Sequence, residues 1–237
     1  MSQRRNDRSR QVSPFLVTMA VNIFSALKDS DYKPPVTIFL ILLNVFIHLA
    51  PYPYLLGFDL SNIRQNCIHP SVIVNGLQHG QFQINRIILS SLIHADDAHL
   101  CYNMISLCWK GINLEKYLNS QIYLKLVVFS LVTSHTLVVL MAVVLNSLGF
   151  QGHVSGYNSC AVGFSAVIFS LKYVWNSVSP MSTTNVMGIN LPTKFAAWAE
   201  LVVISLITPN ASFIGHLAGI LAGVLYMKYA RHYPAMK

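Results

Sequence analysis

Three short stretches of the chain set polar, chemically capable side chains among apolar neighbours: His94-Ala-Asp-Asp-Ala-His99-Leu-Cys-Tyr-Asn103, Gly163-Phe164-Ser165-Ala166, and Gly215-His216-Leu-Ala-Gly219-Ile-Leu-Ala-Gly223. A serine hydroxyl is a weak nucleophile until a base takes its proton. Ser165 can be that nucleophile and His216 that base. An acyl-transfer intermediate then needs donors aimed at its oxyanion. His99 and Asn103 lie four residues apart, on one face of a helix, and both carry side-chain donors. No acid lies near His216 in sequence, so the set reads as a Ser–His dyad rather than a triad. Glu115 and Glu200 fall deeper in their helices and read as structural. Each stretch also has a blander reading. The first is a capped helix start with interfacial histidines, Ser165 is a small packing residue, and His216 bonds a neighbouring helix. His94, Asp96, Asp97 and His99 have ligand atoms but match no zinc spacing.

The elements that must position these residues are membrane helices. Of 237 residues 54% are hydrophobic and only 10% charged, against about 25% charged in soluble domains. Composition therefore excludes a soluble globular domain and a disordered chain. Six apolar segments are predicted, at about 36–56, 98–114, 122–145, 160–178, 195–207 and 211–229, with a long polar loop over 57–93 and a Lys- and Arg-free loop over 146–159. The net charge of +8 is not a nucleic-acid signal. Fourteen of the 16 basic residues fall at the two ends or in the 110–125 and 172–194 connections, leaving Arg64 and Arg86 elsewhere. Cytoplasmic segments collect Lys and Arg in this way.

The expected fold class is therefore an all-α membrane protein, a six-helix bundle with both termini cytoplasmic. Residues 1–34 form a cytoplasmic N-terminal segment with an interfacial helix at 14–27. The membrane domain covers 35–230, and 231–237 is a short cytoplasmic end. Ser165, His216, His99 and Asn103 then lie at similar depth on the lumenal side. Cys101 and Cys108 read as packing residues. Cys67 and Cys160 both fall on the lumenal side, where they can be bridged or free. Asn210-Ala-Ser212 is a formal glycosylation acceptor too close to the bilayer to be used. No phosphate-binding loop or dinucleotide fingerprint is present, and no cofactor is expected.

These residues resemble the rhomboid intramembrane serine proteases over roughly residues 34–229. His94, His99 and Asn103 fit that family's second-helix pattern. Gly163-Phe164-Ser165-Ala166 matches its Gly-x-Ser-Gly except for Ala166. His216, Gly219 and Gly223 match its sixth helix. Arg86 stands where the arginine of a Trp-Arg motif does, with Asn85 replacing the Trp, and Glu115 matches a structural glutamate. His94-Ala-Asp-Asp, Trp109-Lys-Gly-Ile-Asn-Leu-Glu115 and Cys160-Ala-Val-Gly-Phe-Ser165 are similar to the endoplasmic-reticulum branch, the rhomboid-related protein four group.

The resemblance implies cleavage in or near transmembrane segments of membrane proteins, linked to quality control in the endoplasmic-reticulum membrane. Ser165 would be nucleophile, His216 general base and acid, and Asn103 and His99 the oxyanion donors. His94 would support that pocket. The partners implied are membrane-protein substrates and lipids, with no nucleic acid. Binding of ubiquitin or a segregase through a cytosolic tail is not expected, since the sequence stops at Lys237. The alternative is an inactive rhomboid-like protein that binds membrane helices without cleaving them. A third reading, a transporter or metal carrier using His94, His99 and His216, predicts activity that survives loss of Ser165.

Overall fold

The structure, a computed structural model, describes residues 13–49, 54–55, 58–60, 62–152, 154–186, 188–208 and 211–230. The arginines before Ser13, Asn210 of the glycosylation sequon and the segment 231–237 lie outside the described residues.

Long helices form where the apolar runs were predicted. They are α2 (Pro35–Leu49), α6 (Asp97–Leu118), α7 (Ser120–Ser147), α8 (Ser165–Val178), α9 (Thr193–Ile207) and α10 (Phe213–Ala230). By length and composition α7 is apolar enough to cross a bilayer, with 28 residues and a mean hydropathy of 2.3. α2 and α10 are shorter apolar helices. α8 sits at the centre, packed on α10, α7, α6 and α9. Small residues let it do so. A Cβ on Gly219 of α10 would stand 2.2 Å from the Ala166 carbonyl oxygen of α8, so only glycine permits that approach. Across the other side, the hydroxyls of Ser130 on α7 and Ser170 on α8 bond at 2.8 Å. A polar pair shielded from water holds two helices together where hydrophobicity alone gives little drive.

Glu115 ties the far end of the bundle. It is fully buried. Its carboxylate accepts the N–H groups of Val36 and Thr37 at the head of α2 (both 2.9 Å), the Thr37 hydroxyl (2.8 Å) and the Ser120 hydroxyl (2.7 Å). Those amides are orphan donors of a helix start, and a carboxylate is the fitting partner for them. The structural reading of this glutamate is thus given a specific form.

Three boundaries differ from the expected ones. The fourth apolar segment becomes helical only at Ser165, because Ala161 is held in an extended bridge with Ile68 and Gly163 has φ 110°. The first ends as a helix at Leu49. The polar loop over 57–93 is ordered into a β1–β2 hairpin (Tyr54–Leu55 with Phe58–Asp59) and three helices, α3 (Ile63–Asn66), α4 (Pro70–Gln78) and α5 (Ile84–Leu92). Arg86 on α5 donates to the carbonyls of Arg64 (2.9 Å) and Cys67 (3.1 Å), satisfying orphan acceptors at the end of α3. The α8–α9 connection carries a second hairpin, β3 (Thr183–Val186) with β4 (Ile189–Pro192).

Residues 14–27 do form a helix, within α1 (Pro14–Asp29). It stands beside α6 rather than across the end of the bundle. Ser13 lies beside Asp97 at the head of α6, the Met19 backbone meets Cys101, and the Tyr32 hydroxyl bonds Ser120 beyond the tail of α6. Met19 and Ala26 are buried in the same apolar core as Leu100, Leu107 and Leu114 of α6. The head of α2 therefore lies at the tail end of α6 while Ser13 stands at its head, so residues 13–32 run the length of α6 instead of lying along one face of the bundle as expected.

Candidate active site

Ser165 is the first residue of α8, and His216 lies in the first turn of α10. The close crossing at Gly219 brings them together: His216 Nε2 is 3.2 Å from Ser165 Oγ. The imidazole is 6% exposed and lies stacked on the Phe169 ring, with centroids 4.5 Å apart and planes at 29°. Phe169 is one turn along α8 from Ser165, so the helix that carries the hydroxyl also carries the platform that orients its base. Ala166 in the motif's fourth position does not separate the pair.

α6 begins beside this dyad. Asp96 caps it by accepting the His99 N–H at 2.8 Å, the role of a good N-cap. The Ala95 N–H points at His99 Nδ1, 3.4 Å away. With Nδ1 as acceptor, the neutral ring carries its proton on Nε2. That nitrogen lies against Gly163: a Cβ there would be 2.6 Å from His99 Nε2 and Cε1. Gly163 in turn donates its N–H to the Ser90 carbonyl at 2.7 Å. One turn along α6, Asn103 Nδ2 donates to the His99 carbonyl at 2.8 Å, which leaves its second N–H free to donate.

His94 sits just before α6, 4% exposed, its ring 5.0 Å from that of His99 and 6.5 Å from that of His48 on α2. Burial, and then the neighbouring His99 and His48, push its pKa down to about 3. It is therefore a neutral imidazole at physiological pH. Among the described residues neither ring nitrogen makes a hydrogen bond of ordinary geometry, although the Leu92 backbone lies beside the ring, and such buried nitrogens call for ordered water. His48 is bonded through Nε2 to Asp97 Oδ1 at 2.8 Å. Among the described residues no group of three or more His, Cys, Asp and Glu side chains is arranged to hold a metal ion.

Loop and helix are laced together just ahead of Ser165. Cys67 and Cys160 form a disulfide, with Cα atoms 5.4 Å apart. Ile68 and Ala161 exchange backbone hydrogen bonds at 2.9 and 3.0 Å, and Ser71 N–H reaches the Tyr157 carbonyl at 3.0 Å. Cys101 and Cys108 are free and buried.

The structure thus brings Ser165, His216, His99 and Asn103 to one end of α8, α10 and α6, with His94 alongside. Sequence reasoning missed Phe169 and His48. An aromatic residue in an apolar helix, or a histidine at the end of one, carries no local sign of its neighbours. It also missed the partner of Glu200, which is ion-paired with Lys172 of α8. Two opposite charges in predicted spans were the available signal.

The Rhomboid domain family model matches residues 81–233. Rhomboid-like protein 14, mitochondrial, of Arabidopsis thaliana is 38% identical over 220 residues, covering 93% of this chain and 62% of its own length. Rhomboid-related protein 4 of Homo sapiens is 38% identical over 220 residues, covering 92% of this chain and 64% of its own. Rhomboid-type serine protease 2 of Yarrowia lipolytica is 32% identical over 147 residues, covering 60% of this chain and 46% of its own. The chain spans less than two thirds of the length of each of these relatives. With the helical membrane fold and the site already described, the chain belongs to the rhomboid family.

Proposed function

We propose that this chain is an intramembrane serine endopeptidase that cleaves membrane proteins in or near their transmembrane segments. The observation that carries the reading is the 3.2 Å approach of His216 Nε2 to Ser165 Oγ, a distance suited to proton transfer. His216 takes the Ser165 proton as Oγ attacks the scissile carbonyl carbon. The oxyanion so formed is met by the His99 Nε2–H, the free Asn103 N–H and the Ser165 backbone N–H, an orphan donor at the head of α8. On collapse His216 gives its proton to the leaving amine. Water then attacks the acyl-enzyme, with His216 again as base, and Ser165 is regenerated. His94, neutral and buried, holds water at the mouth of the pocket.

We read α2, α6, α7, α8, α9 and α10 as six spans, with Pro35 and Ala230 at the cytoplasmic end and Ser165 opening toward the lumen. Lys116 and Lys125, which flank the α6–α7 connection, support that orientation. The Cys67–Cys160 disulfide, five residues from Ser165, suits an oxidising lumen. It favours the endoplasmic reticulum, where the substrates are unstable membrane proteins.

The test is labelling of purified protein by a fluorophosphonate serine probe, in wild type, Ser165→Ala and His216→Ala. Labelling of wild type alone is the expected result. A folded wild type that stays unlabelled would overturn the protease reading in favour of a rhomboid-like protein that holds helices without cutting them.

A further inference from the structure

The dyad has no acid. His216 Nδ1 is buried and makes no hydrogen bond among the described residues. Yet His216 must become an imidazolium each time it accepts the Ser165 proton. A buried cation close by would oppose that charge. One is present: Lys172 Nζ lies 5.1 Å from the centroid of Phe169, the ring on which His216 is stacked. Lys172 is only 7% exposed. His216 stands within the electrostatic reach of Lys172 and of His99.

Lys172 is not left alone. Glu200 of α9 is ion-paired with it, and Lys110 of α6 faces the same pair. α7, which also packs on α10, brings a buried histidine, His135, whose ring Nδ1 meets the Leu131 carbonyl at 2.7 Å. Between Phe213 and Leu225, α10 has no titratable side chain other than His216. A buried ion pair is weak evidence for stability, since an apolar pair of similar size does as well. Ionisable residues inside a membrane domain are functional candidates by default.

We propose that Glu200 is a positioning residue of the dyad, neutralising Lys172 through the α8–α9 ion pair so that His216 can take up the Ser165 proton. The proposal rests on the protease reading for its purpose, but the coupling of Glu200 to His216 is a property of the fold. Remote compensation of this kind does for the dyad what an adjacent carboxylate does for a triad.

The test uses the full chain in lipid bicelles with ¹⁵N-labelled histidine. His216 is assigned by its loss in His216→Asn, its titration is followed by NMR, and fluorophosphonate labelling is measured against pH. Glu200→Gln is expected to lower the His216 midpoint by about one unit, and to slow labelling at pH 7 by roughly tenfold, as an uncompensated cation should. The double variant Lys172→Met/Glu200→Gln is expected to restore both to within about threefold of wild type. Lys172→Met alone, which folds without an unpaired buried ammonium, is expected to raise the midpoint.

An unmoved midpoint in Glu200→Gln would overturn the proposal, and so would a double variant as impaired as the single one. Should Glu200→Gln not fold, an unmoved or lowered midpoint in Lys172→Met overturns it. A wild type that titrates as described but is never labelled would sink the protease reading and leave the Glu200–His216 coupling standing.

Discussion

Gly163 and His99 share a space that holds only one side chain. A Cβ on residue 163 would come within 2.6 Å of His99 Cε1 and Nε2, and the φ of 110° there is one that other residues rarely adopt. The turn that delivers Ser165 is therefore shaped around the ring that would donate to the oxyanion. Gly163→Ala must push His99 away or unwind the turn. A displacement near 1 Å at reacting groups costs about 10²-fold in rate. Fluorophosphonate labelling of Gly163→Ala is expected to fall by about that factor, while thermal unfolding in detergent shows a folded protein. Labelling within a few-fold of wild type would show that His99 does not act at Ser165.

Glu115 gathers four donors in a fully buried place. Glu115→Ala leaves the Val36 and Thr37 amides without a partner and takes one acceptor from the Thr37 and Ser120 hydroxyls, which keep Tyr123 and Tyr32 as neighbours. Each unsatisfied buried group costs about 1–3 kcal/mol. A loss of at least about 3 kcal/mol is expected, read as a large drop in Tm. Glu115→Gln keeps the volume and two lone pairs, and should lose less. Since Glu115 lies at the end of α6 remote from His99, the fraction that remains folded should label at a rate close to that of wild type.

The helices were legible because apolar runs of that length have one use, and Ser165, His99, Asn103 and His216 stood out as polar groups inside them. What could not be read came from contacts between distant segments. The segment 57–93 read only as a long polar loop because its helices are held by Arg86 reaching Arg64 and Cys67, and by Ile68 pairing with Ala161. The start of α8 was placed five residues early because Cys160 and Ala161 are as apolar as a helix but are held extended by those same bonds. α1 was expected in the interface because the apolar run over 14–27 is too short to span. Its place beside α6 follows from Met19 and Ala26 entering a core whose other buried members, apart from Leu40 and Ile41, begin only at Leu100. Phe169 beneath His216 was invisible for the same reason.

His94 supplies a pH dependence. It is buried as a neutral ring with its pKa pushed down to about 3, whereas an unfolded histidine titrates near 6.5. Between those values the unfolded chain binds the extra proton and the folded chain does not. Stability is therefore full above about pH 6.5 and falls as the pH drops toward 3. His94→Phe, which removes the proton site and keeps a ring, should flatten this acid slope. Chemical denaturation in bicelles at pH 7.5 and 5 checks it. A wild type and variant with equal slopes would show that His94 takes no part in acid destabilisation.

The Cys67–Cys160 disulfide closes a loop with a sequence separation of 93 residues. Removing a crosslink over so long a loop costs about 2–4 kcal/mol. Reductant, or Cys67→Ser/Cys160→Ser, is expected to lower Tm. Labelling should fall as well, because the bridge anchors the strand that leads through Gly163 to Ser165. If reductant lowers Tm with no loss of labelling, the hydrogen bonds of Ile68 with Ala161 and of Ser90 with Gly163 suffice to hold that strand.

The departure from the family motif at Ala166 can be tested against its opposite face. The Ala166 carbonyl oxygen, not its methyl group, sets the closest approach: it lies 2.2 Å from where a Gly219 Cβ would be. The added methyl of Ala166 therefore does not decide the α8–α10 spacing, and the Ser165–His216 distance stays at 3.2 Å with it in place. Ala166→Gly is expected to change labelling by less than about threefold, the small effect of a substitution that relieves no strain. Gly219→Val must move the two helices apart by an ångström or more, since backbone oxygen cannot give way as a flexible side chain can. It should reduce labelling by about 10²-fold or more, through loss of the reacting geometry. A large gain in Ala166→Gly would instead mean that the methyl holds the dyad off its working distance.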